Sequence, residues 1–253
     1  MLSKFKEFYA VYGYYSFRVW ILHILSLCAI LYLDIEYLLA GIVFFLLVMP
    51  LHTLVFHDWI SHEYVRPRNK LAEWFSLFVF YSQDDTIRGK KNYHVYHHRN
   101  WQNQDLDPTY QKLKGLPWYR YVFGLQTPVK QNIPNIENSL LESSSLVKLL
   151  DKNHRRIYFL LVVVLLCVLP FSWFVITMIW YPWLFMIVYN THDYYFHGPW
   201  QGSDRSWFTV IFTTQAWHRA HHSRWRDEFY GPGWWRILNP GWYWRHLLFR
   251  STL

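Results

Sequence analysis

The sequence contains little cysteine: Cys28 and Cys167 are the two cysteines among 253 residues, and each lies inside an apolar run. They form no Cys-x-x-Cys motif, which excludes a disulfide framework and a zinc knuckle. We therefore interpret both as small buried apolar residues. The chain also lacks a low-complexity stretch and a repeat of the solenoid type, which excludes the repeat architectures.

Charged residues are scarce, at 17%, and acidic residues are the scarcer kind, with 17 Asp and Glu against 25 Lys and Arg. A protein that binds nucleic acid gathers its basic residues in one patch. Here they flank apolar runs, so we expect attraction to anionic lipid and no nucleic-acid partner. Aromatic residues are abundant instead, at 22% with 16 Trp and 20 Tyr. This composition is typical of a chain that meets the headgroup layer of a bilayer.

Four apolar runs predict transmembrane helices at about 19–33, 37–56, 157–169 and 174–189. Crossing the hydrocarbon layer takes roughly 20 residues, so the first and third runs need their aromatic flanks. Short linkers join the four into two helical hairpins. Two shorter runs, 71–81 and 207–217, predict re-entrant, interfacial or buried helices. The predicted fold is an all-α integral membrane protein, a single domain over 1–253, with a cytosolic helical cap at 57–156 and 190–253.

The basic residues also predict the sidedness of the chain. All 25 Lys and Arg lie before or at the start of the first span, between the second and third spans, or after the fourth. The positive-inside rule therefore places both termini and the long middle segment in the cytoplasm. Residues 1–18 predict an interfacial amphipathic segment rather than a cleaved signal peptide. We expect a bacterial inner membrane rather than the endoplasmic reticulum, because the chain is small and shows no extensions.

Histidine is the residue type that predicts chemistry. Eight of the 14 His fall in three clusters: His57 and His62; His94, His97 and His98; His218, His221 and His222. On a helix, positions i, i+3 and i+4 share a face, so the second and third clusters can each direct their side chains one way. Adjacent histidines diverge by about 100°, so they can reach two different metals.

The first cluster is less regular. His57 and His62 are five residues apart, which on an α-helix separates their directions by about 140°. Either the two serve different metals or the helix is distorted there. Structural zinc takes four ligands, so eight imidazoles indicate two metals. Imidazole suits Zn, Cu, Fe and Ni, and iron is favoured because zinc cannot do redox chemistry.

The three clusters resemble the one HxxxxH and two HxxHH boxes of the membrane fatty-acid desaturase family, in particular its acyl-CoA delta-9 branch. The similarity extends to Gln83-Asp84-Asp85 before the second box, Asp105-Leu106-Asp107-Pro108 after it, and the aromatic stretch from Phe229 to Trp235. It covers roughly 52–248. The resemblance implies a di-iron centre held almost wholly by His, four spans beneath a cytosolic cap, and a kinked acyl tunnel.

The resemblance also implies a ligand set. The iron ligands would be His57, His62, His94, His97, His98, His218, His221 and His222. The acyl-CoA branch adds a histidine four residues after an Asn that holds an iron through water. Here the run is Asn190-Thr-His192-Asp-Tyr-Tyr-Phe-His197, without that spacing. The resemblance favours His192 as the ninth ligand with Asn190 acting through water, and leaves His197 as the alternative.

One departure concerns the acyl carrier. The acyl-CoA branch has an Arg-Asp pair directly before the second box, where this chain has Asn92 and Tyr93. Arg88, Lys90 and Lys91 lie nearby. They are candidates for contact with an acyl carrier or a headgroup, and equally for an ordinary solvated or lipid-facing basic run. Acyl-CoA, acyl-carrier protein and acyl lipid all stay open as carriers.

The implied function is an O2-dependent di-iron membrane desaturase that introduces a double bond into a fatty-acyl chain. Its electrons would come from an external donor such as ferredoxin or cytochrome b5, since no such domain is visible in the sequence. A hydroxylase, ketolase or acetylenase could use the same scaffold. A non-catalytic membrane metal-binding protein is the alternative of another class. It would place ionisable ligands within the spans, whereas these clusters lie at or beyond the span ends.

Overall fold

A computed structural model describes residues 18–81, 86–101, 103–125, 133–136, 144–198, 204–205, 208–212, 216–224 and 231–252. Residues 1–17 of the predicted amphipathic segment 1–18, the Gln83-Asp84-Asp85 run, and Phe229 and Tyr230 of the aromatic stretch lie outside these residues. The described chain is mostly helical. This agrees with the predicted fold class in its coarse form.

Eleven helices and two short strands are used below. The helices are α1 (Arg18–Tyr32), α2 (Ile35–Ser61), α3 (Lys70–Tyr81), α4 (Ile87–Asn100), α5 (Pro108–Leu113), α6 (Trp118–Val122), α7 (Ser145–Val168), α8 (Phe171–His197), α9 (Thr209–Phe212), α10 (His218–Ser223) and α11 (Pro240–Leu248). A 3₁₀ turn, Gly233–Leu238, precedes α11. The strands are β1 (Val65–Pro67) and β2 (Phe249–Ser251).

Two of these helices are long and apolar enough to cross a membrane. They are α2 and α8, each of 27 residues, with mean hydropathies of 2.4 and 1.7. Helix α1 covers most of the first predicted span and the second half of α7 covers the third, but α1 is shorter and α7 begins with a charged half. Four membrane crossings therefore stay a prediction, and two candidate spans are the structural result.

Both cysteines differ from expectation. Cys28 on α1 and Cys167 on α7 are exposed rather than buried. The physical reason is that α1 and the apolar half of α7 carry hydrophobic residues around their whole circumference, so an apolar neighbourhood in sequence does not imply an inward face. Leu31 of α1 and Val168 of α7 are exposed in the same way.

The chain divides into two compact units. The first consists of Met1–Phe45, Gln102–Asn132 and Leu169–Gln201, and the second of Leu46–Trp101, Ile133–Val168 and Gly202–Leu253. The prediction of one desaturase-like domain over 1–253 stays a prediction.

In the first unit, α8 packs against the beginning of α2 and against α6. Gly41 of α2 permits the close approach, since a Cβ at this position would lie 2.5 Å from the Trp180 ring. Small residues allow such contacts between apolar helices. The Tyr181 ring packs edge-on against Phe44 at 5.7 Å between centroids. A π-helical stretch, Ile176–Trp180, precedes Tyr181 within α8.

In the second unit, a short antiparallel ribbon ties the C-terminal segment to the chain after the first histidine box. The pairs are Val65 with Ser251, Arg66 with Arg250, and Pro67 with Phe249. The all-α prediction does not include this ribbon. Phe249 is fully buried and packs against Trp59, with ring centroids 5.9 Å apart.

Side-chain caps set the starts of the helices around the second box. The Thr86 hydroxyl accepts a hydrogen bond from the amide of Gly89 at the start of α4, at 3.0 Å. Asp107 accepts the amide of Thr109 at the start of α5, at 2.8 Å, and Pro108 occupies the first turn. Both are N-caps of the usual kind. The Asp-Pro step of the Asp105–Pro108 run therefore begins a helix in this structure.

Candidate metal centre

The first histidine box lies on a π-helical turn at the end of α2. Leu54–Ser61 is π-helical and wholly buried. The amide of His62 donates to the carbonyl of His57 at 3.0 Å, and the Ser61 hydroxyl donates to the carbonyl of Phe56 at 2.8 Å. In a π-helix the repeat is i to i+5, so residues five apart align. The imidazoles of His57 and His62 have centroids 4.6 Å apart, which means the distorted-helix alternative is the one observed.

The second and third boxes lie on α-helices, as their spacing predicts. Helix α4 carries His94, His97 and His98, and all three are buried. The shorter α10 carries the third box, with its three histidines each 2% exposed. All eight box histidines therefore belong to the second unit.

Five of these imidazoles converge on one point. The group consists of His57, His62, His94, His98 and His221, whose ligand atoms all lie within 4.8 Å of one another. Their Nε2 atoms form a series of contacts: His57 to His221 at 2.9 Å, His221 to His98 at 2.8 Å, His98 to His94 at 3.1 Å, and His94 to His62 at 3.0 Å. We call this set the five-histidine group. It unites residues of all three boxes.

Hydrogen bonding alone does not account for these contacts. Each Nε2 of a neutral imidazole offers one in-plane position, which is either an N–H or a lone pair. The Nε2 atoms of His221, His98 and His94 each face two others, so one proton cannot serve both contacts. Two nitrogens bound side by side at about 2.1 Å from one metal are about 3 Å apart. The donor set therefore fits a metal ion held by several lone pairs.

A carboxylate orients one member of the group. The Nδ1–H of His57 donates to Asp58 at 2.5 Å, and both side chains are buried. A carboxylate can only accept, so the proton lies on Nδ1 and the Nε2 lone pair faces the group. Carboxylate partners of this kind set the tautomer of a ligating histidine and raise its basicity. Asp58 was not among the residues predicted from the sequence, although its place beside His57 in the box was a usable signal.

The protonation state also suits a metal. Burial, followed by repulsion from neighbouring imidazoles, lowers the pKa of His62 and of His98 well below the ordinary histidine value. Both are therefore neutral at physiological pH. Neutral imidazole is the form that coordinates a metal.

The remaining box histidines lie beside the five-histidine group. The Nε2 atoms of His97 and His222 are 3.3 Å apart, and the rings of His218 and His222 have centroids 4.3 Å apart. The rings of His98 and His222 stack at 4.4 Å. We call His97, His218 and His222 the flanking group. Its members are each at most 3% exposed.

The candidates for a ninth ligand lie in the first unit, on α8. Asn190, His192 and His197 are all buried there. Asn190 donates to the carbonyl of Val122 at 3.3 Å. The Nδ1 of His192 lies 3.4 Å from Asp193, the same neighbour relationship that His57 has with Asp58. Ligation by His192 or His197, and a water-mediated role for Asn190, stay predictions.

The three basic candidates for carrier contact each lie against another group. Lys91 is buried and ion-paired with Glu63, the residue after His62. Lys90 holds its ammonium 5.1 Å from the centroid of the Phe56 ring. Arg88 lies 3.9 Å from Asp151 of α7. Contact with an acyl carrier or headgroup stays a prediction, and the buried ion pair between Lys91 and Glu63 is the observation.

Glu63 is a second residue near the histidines that was not predicted from the sequence. Its φ is 58°, in the left-handed region, directly after the first box. Such a conformation is uncommon outside glycine and persists when its surroundings hold it. Thr252 donates to the Glu63 carbonyl at 2.6 Å, and Lys91 holds its carboxylate. No pattern in the local sequence indicates this turn, because both contacts come from distant segments.

Comparisons with known proteins add no further assignment. No protein-family model matches the chain, and no curated protein matches it.

Proposed function

We propose that this protein is an integral-membrane, O2-dependent di-iron enzyme that introduces a double bond into a fatty-acyl chain. The observation that carries the proposal is the five-histidine group, whose ligand atoms lie within 4.8 Å of one another. The flanking group adds three buried imidazoles in the same unit. Two apolar helices of membrane-spanning length support a lipid-soluble substrate.

We assign two iron ions to these two groups of histidines. Five plus three imidazoles exceed the four ligands of a structural zinc site. Imidazole binds iron well, and only a redox metal can activate O2. When bound, iron would supply the oxidising power that removes hydrogen from an unactivated methylene.

The residues of the chain would hold the metals, orient the ligating imidazoles and keep water out of the site. Asp58 holds His57 in the ligating tautomer. Burial of seven of the eight box histidines limits the access of bulk water, which would otherwise compete with O2 and substrate. The π-helical turn brings His57 and His62 to the same side of α2. The balanced reaction removes two hydrogen atoms from adjacent methylenes. With two electrons and two protons from an external donor, O2 is reduced to two waters.

The same geometry is compatible with hydroxylation, ketone formation or acetylenation, which differ in how the substrate lies against the metals. The product decides among them. Lipids from an expressing host should show a loss of about 2 mass units for a desaturase, and a gain of about 16 for a hydroxylase. Host cells expressing the His221→Ala variant are the control, because this change removes the imidazole that contacts both His57 and His98.

Metal analysis separates the parts of the proposal. Purified protein should contain about two irons per chain, as the ligand count indicates. One zinc and no iron would contradict the di-iron centre. Two irons together with unchanged host lipids, in the presence of a donor system, would contradict acyl chemistry and favour a non-catalytic metal-binding protein.

A further inference from the structure

Helix α3 presents an apolar stripe to its surroundings. Leu71, Trp74, Phe75 and Phe78 are 79%, 57%, 43% and 47% exposed. Their spacing of i, i+3, i+4 and i+7 places them on one helical face. The opposite face is already used, because Ala72, Leu77 and Phe80 are buried within the second unit. The stripe is therefore surplus to the core and requires another partner.

The stripe lies beside a membrane-type helix. Phe75 has its ring centroid 6.5 Å from that of Trp244 on α11. The Trp244 indole in turn donates to the carbonyl of Leu47 on α2, at 2.9 Å. Leu47 lies well inside the 27-residue apolar stretch of α2. Helices α3 and α11 consequently lie alongside that stretch rather than away from it.

Helix α11 and the preceding 3₁₀ turn also expose apolar side chains. Their exposed apolar side chains are Trp234, Ile237, Leu238, Tyr243 and Leu247. Trp and Tyr are enriched where protein meets the interface of a bilayer. The aromatic and aliphatic mixture on both helices is typical of helices that lie in the plane of that interface.

A pair of arginines lies on the β1–β2 ribbon, whose first strand packs against α3. Arg66 and Arg250 are directly opposite each other in the β1–β2 ribbon, and both are exposed. Side chains in this position have Cβ atoms about 5 Å apart, and like charges there destabilise the pairing. Within the described part of the chain, neither arginine has a carboxylate partner. Arg68, which is also exposed, lies three residues before Leu71. An anion between the two guanidinium groups would relieve their repulsion.

We propose that the α3 stripe and the Arg66–Arg250 pair together form a binding site for anionic phospholipid. The acyl tails lie on the stripe, and the phosphate lies between the two arginines. Anionic lipid fits better than a soluble partner, because an apolar stripe, interfacial Trp and cationic groups occur together beside an apolar helix of spanning length. Phosphate is recognised by guanidinium through paired hydrogen bonds. The proposal does not depend on the reaction that the metal centre performs.

The first test measures depth in the bilayer. Full-length protein with Cys28→Ser and Cys167→Ser is spin-labelled at Trp74→Cys or Phe78→Cys, in liposomes of phosphatidylcholine and phosphatidylglycerol. Lys148→Cys, on the exposed polar half of α7, is the control. Labels on α3 should collide with O2 more than with a water-soluble nickel chelate, and the control label should show the reverse. Water-exposed labels on α3, or dipolar broadening between two copies, would overturn the proposal.

The second test measures selectivity for the headgroup. Native mass spectrometry compares phosphatidylglycerol and phosphatidylcholine retained by the Arg66→Gln/Arg250→Gln variant. A juxtamembrane arginine contributes enough for about a fivefold loss of preference each. The Lys148→Gln/Lys152→Gln variant, which loses the same charge on exposed α7 positions, should keep the preference. The Arg66→Lys/Arg250→Lys variant keeps the charge but not the paired hydrogen bonds, and should lose only part of the preference. Equal losses in both glutamine variants, or none in either, would overturn the arginine assignment.

Discussion

His57 and His221 are 164 residues apart in sequence, and their Nε2 atoms are 2.9 Å apart. This contact joins the first histidine box to the third. His221 also lies 2.8 Å from His98 of the second box, so it contacts both other boxes. The site is therefore a single tertiary arrangement rather than three local motifs.

The two groups of histidines predict a metal stoichiometry. His97→Ala removes a member of the flanking group and leaves the five-histidine group whole. We expect purified His97→Ala protein to retain about one metal per chain where the parent holds two, measured by inductively coupled plasma mass spectrometry. His246→Ala, at an exposed ring bonded to the Trp242 carbonyl, should retain both. Loss of both metals from His97→Ala would show that the groups do not bind independently.

Asp58 predicts a graded effect on metal affinity. Asp58→Ala leaves His57 without its carboxylate, so the Nδ1–H tautomer is no longer enforced. Partners of this kind affect metal affinity by about 10–100-fold. Asp58→Asn keeps an accepting oxygen and should lose less, as judged by competition with a chelator. Asp151→Ala, which removes the carboxylate beside Arg88, is the control and should bind metal as the parent does. Equal affinity in Asp58→Ala and the parent would refute the orienting role.

The hydrogen bond of Ser61 should stabilise the π-helical turn by a measurable amount. Its hydroxyl donates to the Phe56 carbonyl, five residues back, in a buried position. Ser61→Ala should destabilise the protein by about 1 kcal/mol, since one intramolecular hydrogen bond is lost. Thermal unfolding in detergent measures the change. Thr177→Ala removes a hydroxyl that is half-buried and contacts the carbonyls of Trp173 and Phe174, and should cost less. A smaller effect for Ser61→Ala than for Thr177→Ala would contradict the prediction.

The Lys91–Glu63 ion pair predicts a difference between buried and exposed pairs. The side chains of Lys91 and Glu63 are 9% and 22% exposed, respectively. Lys91→Met leaves the Glu63 carboxylate without its ammonium partner. We expect a loss of about 2 kcal/mol, because a charge-assisted bond breaks and a partly buried charge remains. The Lys91→Met/Glu63→Gln double variant should regain part of it. Lys70→Met breaks the pair with Glu73, in which the lysine is 83% exposed, and should cost less than about 1 kcal/mol in denaturant unfolding. Equal losses of stability in Lys91→Met and Lys70→Met would show that the Lys91–Glu63 pair does not stabilise the turn after the first box more than an exposed pair would.

The apolar runs and histidine spacings predicted much of the local structure. Helices α2 and α8 begin close to the predicted spans, and α4 and α10 are the helices that the HxxHH spacing requires. Hydrophobicity and the helical repeat determine these features within a segment. The end of α2 was harder to predict, since the helix continues through the first box to Ser61. The predicted burial of Cys28 and Cys167 was wrong for a related reason, because composition does not indicate which face of an apolar helix is covered.

The sequence by itself determined the chemistry that is available: eight imidazoles in three boxes, apolar helices, and basic flanks. Only the tertiary structure decided how the imidazoles combine. The π-helical turn aligns His57 with His62, and packing brings α4 and α10 to them. Likewise, the roles of Asp58, Glu63 and Lys91 depend on contacts that packing creates. Contacts across more than a hundred residues arise from the packing of whole elements, which no local spacing specifies.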